Sequence, residues 1–407
     1  MTSARAPRRQ SSAIAPVLAC LLAASLAGCG GAEAPRRYLA ITHPAIDRVS
    51  FFDLDRREVV GVLPTQKLPH DMLVTADART LYLVESGAQC ISAFALDAPA
   101  TWRAARAFMA SDSLRTPRGR RRWPPRRALP ADVERHALTL PDFPERARAV
   151  HARTGAASHT SCTDCHDRSV GGKPFSPMFA GGERTIRLVN LAAREVTELD
   201  AATLAVRRRV PLALPAGYLP VEAWTRPGTD TAFVTFRDSI GRSLRGLVAI
   251  VDLRRGTVVK TLSPGIYPWH LVPTRDGTRL LVDNFQSSSI AVVDVAREEV
   301  ADSLTAENGP SSMLPMADGR RLLVSCFYTH RVLELDLVTH TVLRRFDVGS
   351  NPTTLLPVGG GSRVWVLCGG ESELQLLDLR SGKLAERHKL LFGAYAIQRV
   401  PPGIDPS

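Results

Sequence analysis

The chain repeats one pattern at a fixed spacing, and few architectures tolerate that. Pro268, Pro310 and Pro352 open three copies 42 residues apart. The first runs PWHLVPTRDGTRLLVDN to Asn284, the second PSSMLPMADGRRLLVSC to Cys326, and the third ends at Cys368. Each copy has an opening proline, an apolar strand, a turn with Asp or Gly and a second apolar strand. A third strand follows and ends in Asp, at Ile290–Asp294, Val332–Asp336 and Leu374–Asp378. Alternating apolar residues between turn signals mark β-strands.

A period of about 40–45 residues with four strands per unit is that of a β-propeller blade. Pro69, Pro174 and Pro220 open further copies. A seventh begins near Ala394, where only the strand around Ile397 precedes the end. Tyr38–Thr42, Val49–Leu54 and Val59–Leu63 supply the three strands it lacks, so both termini close one blade and no open sheet edge remains. The expected fold is all-β: a seven-bladed β-propeller closed by both termini, with a haem-bearing loop and helix insertion. The pattern resembles the YVTN-repeat (YncE-like) family of β-propellers, carried best by Leu281-Val282-Asp283-Asn284 followed by Ala291-Val292-Val293-Asp294.

The insertion interrupts the period. Pro69 and Pro174 lie 105 residues apart, one period plus 63. The fourth strand of the second blade is expected to end near Met109, leaving 110–172 between two complete blades. Thr116–Pro130 reads as loop, and Pro144–Arg153 as a short helix. This segment contains Cys162-Thr163-Asp164-Cys165-His166. C-x-x-C-H is the attachment motif of a c-type haem: two thiols reach the vinyl groups of one haem edge, and the adjacent imidazole ligates iron. Zinc would need a second ligand pair and a redox dithiol a βαβ setting, and neither is present. The expected cofactor is one covalent haem c on Cys162, Cys165 and His166, with His166 the proximal ligand.

The N-terminus agrees. Arg5, Arg8 and Arg9 precede an apolar stretch from Ala13 to Ala27 that ends Leu26-Ala27-Gly28-Cys29. That is a secretory signal, and its ending resembles a bacterial lipobox with Cys29 lipidated. Haem attachment is extracytoplasmic in bacteria, so export and motif are consistent. The expected organisation is signal peptide 1–28, linker 29–37, blades 38–109, insertion 110–172, blades and closing strand 173–400, and tail 401–407. The expected location is the envelope, facing the periplasm, on the outer rather than the inner membrane.

The net charge is +12, but residues 101–160 hold thirteen Arg against five acids. An exported lipoprotein excludes nucleic acid, and the run around Arg120 is a solvated tract or a contact for headgroups, an acidic redox partner or haem propionates. Cys90, Cys326 and Cys368 read as free core thiols.

The two residues after each opening proline fall at the rim of the central channel. They bring His70, Asp71, Glu222, Trp269 and His270 to one face, as an iron ligand, a metal site, an acid–base pair or simply a hydrated mouth. His70, His270 and His159 are the candidate sixth ligands. Met178 is less favoured, because the repeat register assigns it to the core with Leu314 and Leu356. These readings make the chain a monomeric, lipid-anchored cytochrome that transfers electrons to a periplasmic partner. The alternatives are a haem-dependent oxidoreductase with substrate at the channel mouth, or a binding scaffold with structural haem.

Overall fold

The computed structural model describes residues 37–110, 165–170, 172–213, 217–238 and 245–400. They form seven four-stranded antiparallel sheets. The innermost strands are Ile397–Val400, Pro69–Val74, Pro174–Ala180, Tyr218–Thr225, Pro268–Pro273, Pro310–Pro315 and Pro352–Val358. Each touches the next, and the last touches the first, so the ring is closed. The chain is a seven-bladed β-propeller. Its first blade pairs Ile397–Val400 with Tyr38–His43, followed by Arg48–Asp53 and Glu58–Pro64, and is therefore sealed by both ends of the ring.

Position within a blade explains the sequence of each strand. Second strands pack between neighbouring blades on both faces, so Arg363–Cys368 is buried at every residue after the first. They read as continuous apolar runs. Outermost strands have one wet face, and Lys383–Lys389 alternates between exposed and half-buried. The Asp that ends the third strand of every blade but the second is a turn device: Asp294 Oδ1 accepts the N–H groups of Ala296 at 2.9 Å and Arg297 at 2.8 Å, and Asp336 does the same for Val338 and Thr339. These Asx turns set the last hairpin of those six blades. The residue before five of the six opening prolines takes a left-handed φ, from 49° at Lys173 to 75° at Gly309, with Leu219 before Pro220 the exception. Glycine does this freely, whereas Leu68, Lys173 and Tyr267 accept about 1–2 kcal/mol of strain.

The second blade differs from the sequence expectation. Its fourth strand does not end near Met109. Residues Pro99–Ala110 form a helix, and the outermost strand is Cys165–Ser169, paired with Cys90–Phe94. The segment between them therefore interrupts the second blade between its third and fourth strands rather than joining two complete blades. The helix packs on Glu58–Pro64, the outer strand of the first blade. Trp102 is buried there, 5.2 Å from Tyr38 and 4.7 Å from Phe51 between ring centroids, and its indole N–H donates to Leu96 O at 2.7 Å. Gly61 permits the approach, since a Cβ there would stand 3.0 Å from that of Ala105. Among the described residues no helix is long and apolar enough to cross a membrane.

Candidate functional site

The opening prolines pair with the ends of the second strands: Pro69 with Glu85, Pro268 with Asn284, Pro310 with Cys326 and Pro352 with Cys368. A register shift follows each of these prolines. Such a bulge re-aims the next two side chains at the end of the strand. The second residue of each pair is polar in all six copies: Asp71, Ser176, Glu222, His270, Ser312 and Thr354.

Several of these side chains stitch one blade to the next. Asp71 Oδ2 accepts the Ser176 N–H at 3.0 Å, Ser176 Oγ that of Ala223 at 3.4 Å, and Glu222 Oε1 that of Leu271 at 3.3 Å. Ser312 Oγ accepts the Leu355 N–H at 3.3 Å. Hydroxyls add further links: Thr42 donates to His70 O, Thr235 to Trp269 O and Ser311 to Pro352 O. Part of the polarity of this rim is thus structural, because bulged backbone groups need partners.

The histidines add chemistry to that frame. His270 is held by Asp283, which is fully buried: its Nδ1 lies 2.8 Å from Oδ2, and its backbone N–H donates to Oδ1 at 2.6 Å. Trp269 stacks on the imidazole at 5.7 Å. On another part of the rim, His70 lies between Phe175 at 4.5 Å and Tyr395 at 4.3 Å, with Nδ1 3.1 Å from Asp71 Oδ2. The His270 side chain keeps 31% exposure and that of Asp71 29%, so the cluster is ringed by protein and open to solvent.

Desolvation disfavours charge on His270, but Asp283, with Glu222 and Asp71 beyond it, holds the imidazole up at about 9. Burial pushes the Glu222 carboxyl up to about 7; His270 and the Leu271 N–H offset part of that rise, while Asp283 and Asp71 add to it. Desolvation would raise Asp71, yet His70, the Ser176 N–H and His270 bring it below the usual range. Burial, then the charges of Asp71 and Glu222, raise the Tyr395 phenol. Near neutral pH the mouth therefore offers an imidazolium, a carboxylate and a carboxyl at its midpoint, which suits acid–base work. Among the described residues no group of three or more His, Cys, Asp or Glu is arranged to hold a metal.

Of the sequence candidates, His70, Asp71, Glu222, Trp269 and His270 gather at this rim. Asp283 and Tyr395 were not singled out. An aspartate inside the apolar run Leu280–Asp283 was the available signal, since such a residue must have a buried partner. Met178 packs with the core shared by the third and fourth blades and accepts a hydrogen bond from Thr225 Oγ1 at 3.3 Å. Cys29, His159 and Cys162 lie outside the described residues.

The backbone of His166 pairs opposite Ala93, on the outermost strand, while the rim end of that strand is Ser169 opposite Cys90. That puts it roughly 14 Å outward from the innermost strand and roughly 10 Å along from the rim. Thr80–Glu85 and Cys90–Ala95 stand between it and Pro69–Val74. His70 stands on the innermost strand of the same blade, three strand positions inward of the backbone of His166, and His270 on the innermost strand of the fifth blade.

Fold and rim define a seven-bladed β-propeller with a polar, histidine-bearing channel mouth. Residues 193–360 match the YNCE-like beta-propeller family. Among solved structures, the chain is similar to the periplasmic gluconolactonase PpgL of Pseudomonas aeruginosa (13% identity, TM-score 0.60), covering 90% of this chain and 100% of that one. It is similar to the hydrazine synthase of Kuenenia stuttgartiensis (14%, TM-score 0.56; 87% and 92% covered). It is also similar to dihydro-heme d1 dehydrogenase NirN in complex with DHE (12%, TM-score 0.55; 89% and 75% covered). At these identities the likeness is one of fold. No curated protein matches the chain.

Proposed function

We propose that this protein is an exported, lipid-anchored propeller carrying one covalent haem c, and that it transfers electrons in the bacterial envelope. The observation that carries the reading is Cys162-Thr163-Asp164-Cys165-His166, two thiols and an imidazole at haem-attachment spacing. The donor set fits the group. The motif ends where the outermost strand of the second blade begins, which suits a carrier, because a partner meets the edge of a blade without entering the channel. When bound, the haem supplies one-electron redox chemistry. Cys162 and Cys165 would hold it as thioethers, and His166 would ligate its iron. His159 is the local sixth-ligand candidate; the thioether of Met178 is already engaged by Thr225. Cys29 tethers the chain to the membrane, outer rather than inner, and a periplasmic redox protein is the partner.

The test is a denaturing gel stained for haem peroxidase activity, made alongside working cytochrome maturation. A band at the mature mass that vanishes in Cys162→Ala/Cys165→Ala is expected, and a stain-negative native protein overturns the reading.

A second reading, a haem-dependent oxidoreductase with its substrate at the channel mouth, is favoured by the His270–Asp283 pair beside Glu222. The reduced spectrum with and without carbon monoxide separates the two. An unchanged, six-coordinate spectrum supports electron transfer, and a carbon monoxide adduct supports an open iron site.

A further inference from the structure

The face opposite the rim carries a feature that neither haem nor channel uses. Between the first and seventh blades lies an open pocket of about 180 Å³, lined by Arg37, Arg57 and Arg399 over a floor that includes Leu54, Trp365 and Val400. Trp365 is 1% exposed, and the Arg57 guanidinium stands 5.4 Å above its ring. Each guanidinium has one modest partner: Arg37 pairs with Asp55 at 2.6 Å, Arg57 with Glu386 at 3.1 Å, and Arg399 donates to Pro357 O. A guanidinium has five N–H groups, so each keeps donors to spare, and exposed pairs of this kind contribute about 0–1 kcal/mol and exchange readily. Three cations against two carboxylates, above an apolar floor, suit an amphipathic anion rather than a bare ion.

The source of such an anion follows from the chain itself. Arg37 precedes the strand Tyr38–His43, whose other end, at Thr42, meets the rim at His70 O. Arg37 therefore lies on the pocket's face of the ring. It is eight positions after Cys29, at most ~29 Å of extended chain. We propose that this arginine pocket binds the phosphate headgroup of an anionic membrane lipid, docking the propeller with its channel mouth turned away from the bilayer. The proposal deepens the reading of Cys29 as a lipid anchor and rests on it for proximity. Guanidinium forks match phosphate oxygens, and the floor accepts the start of the acyl region.

The experiment uses the full-length lipidated protein in vesicles with headgroup-level spin-labelled lipid as quencher, and reads the emission lost in Trp365→Phe. Phosphatidylglycerol vesicles should quench the Trp365 component, and phosphatidylcholine vesicles should not. Arg57→Gln and Arg399→Gln should each weaken the dependence on phosphatidylglycerol about fivefold. Inorganic phosphate that abolishes quenching at millimolar concentration would overturn the proposal in favour of a soluble-anion site. Quenching equal in both vesicle types would also overturn it, as would quenching indifferent to both variants. Failure of the anchor is separable. If Cys29→Ala fractionates unchanged, the lipobox reading falls, whereas membrane-bound protein with an unquenched Trp365 defeats the pocket alone.

Discussion

His43 shows how one side chain makes a fold sensitive to acid. It is fully buried, with Nε2 2.8 Å from Ser50 Oγ, and burial lowers its pKa to about 4 while the backbone of Phe392 and Leu391 offsets part of the fall. The unfolded chain takes up this proton near pH 6.5 and the native one only near 4, so stability is lost as pH falls through that window. The loss is about 3 kcal/mol once pH is below 4. His43→Gln should flatten the acid limb of a denaturation-versus-pH curve. His270 has the opposite sign. Its pKa is raised to about 9, so its contribution is complete below about 6.5 and disappears as pH rises through 9. Asp283→Asn should return the imidazole toward its ordinary value, read by NMR titration; a pKa left near 9 would mean that Glu222 and Asp71, not Asp283, hold the charge.

At the scale of elements, the helix Pro99–Ala110 and the strand Cys165–Ser169 show that the second blade is built across its own interruption. Replacing 111–164 with a Gly/Ser linker leaves the blade four-stranded, and a soluble, colourless, cooperatively unfolding protein is expected. Extending the deletion to 110–172 also removes the outer strand and bares the edge of Cys90–Ala95, an invitation to aggregation. Light scattering on the two deletions distinguishes them. Trp102→Ala should cost about 3–5 kcal/mol, since it empties the site between Tyr38, Phe51 and Leu96; a loss below 1 kcal/mol in urea melts would mean that the helix is an appendage. The repeat was legible in sequence because apolar alternation and Asx turns are local properties of each strand. The strand CHDRS was not, since it carries no apolar alternation and is recruited by an edge left open more than seventy residues earlier.

For the whole molecule, closure decides stability. Ile397–Val400 is the innermost strand of the first blade and joins both neighbours in the ring. A chain ending at Phe392 loses that strand and with it the Thr42–Tyr395 backbone bond at 3.0 Å. It should lose cooperative thermal unfolding by circular dichroism, and retention of a single sharp transition would show that six blades and three strands suffice. Closure also assembles the mouth, because His70, Glu222 and His270 come from different blades.

Sequence alone determined the number of blades, their register, the closing of the first blade from both ends and the residues of the rim. Each of these is repeated or spaced by a fixed period, and a period needs no tertiary information. Tertiary structure decided what a period cannot carry. It set Asp283 behind His270 and Tyr395 beside His70, through packing between strands remote in sequence. It gave Asp71 and Glu222 backbone partners in the next blade. It also moved the backbone of His166 to the outer edge of a sheet, because an unpaired strand edge takes whichever extended segment reaches it.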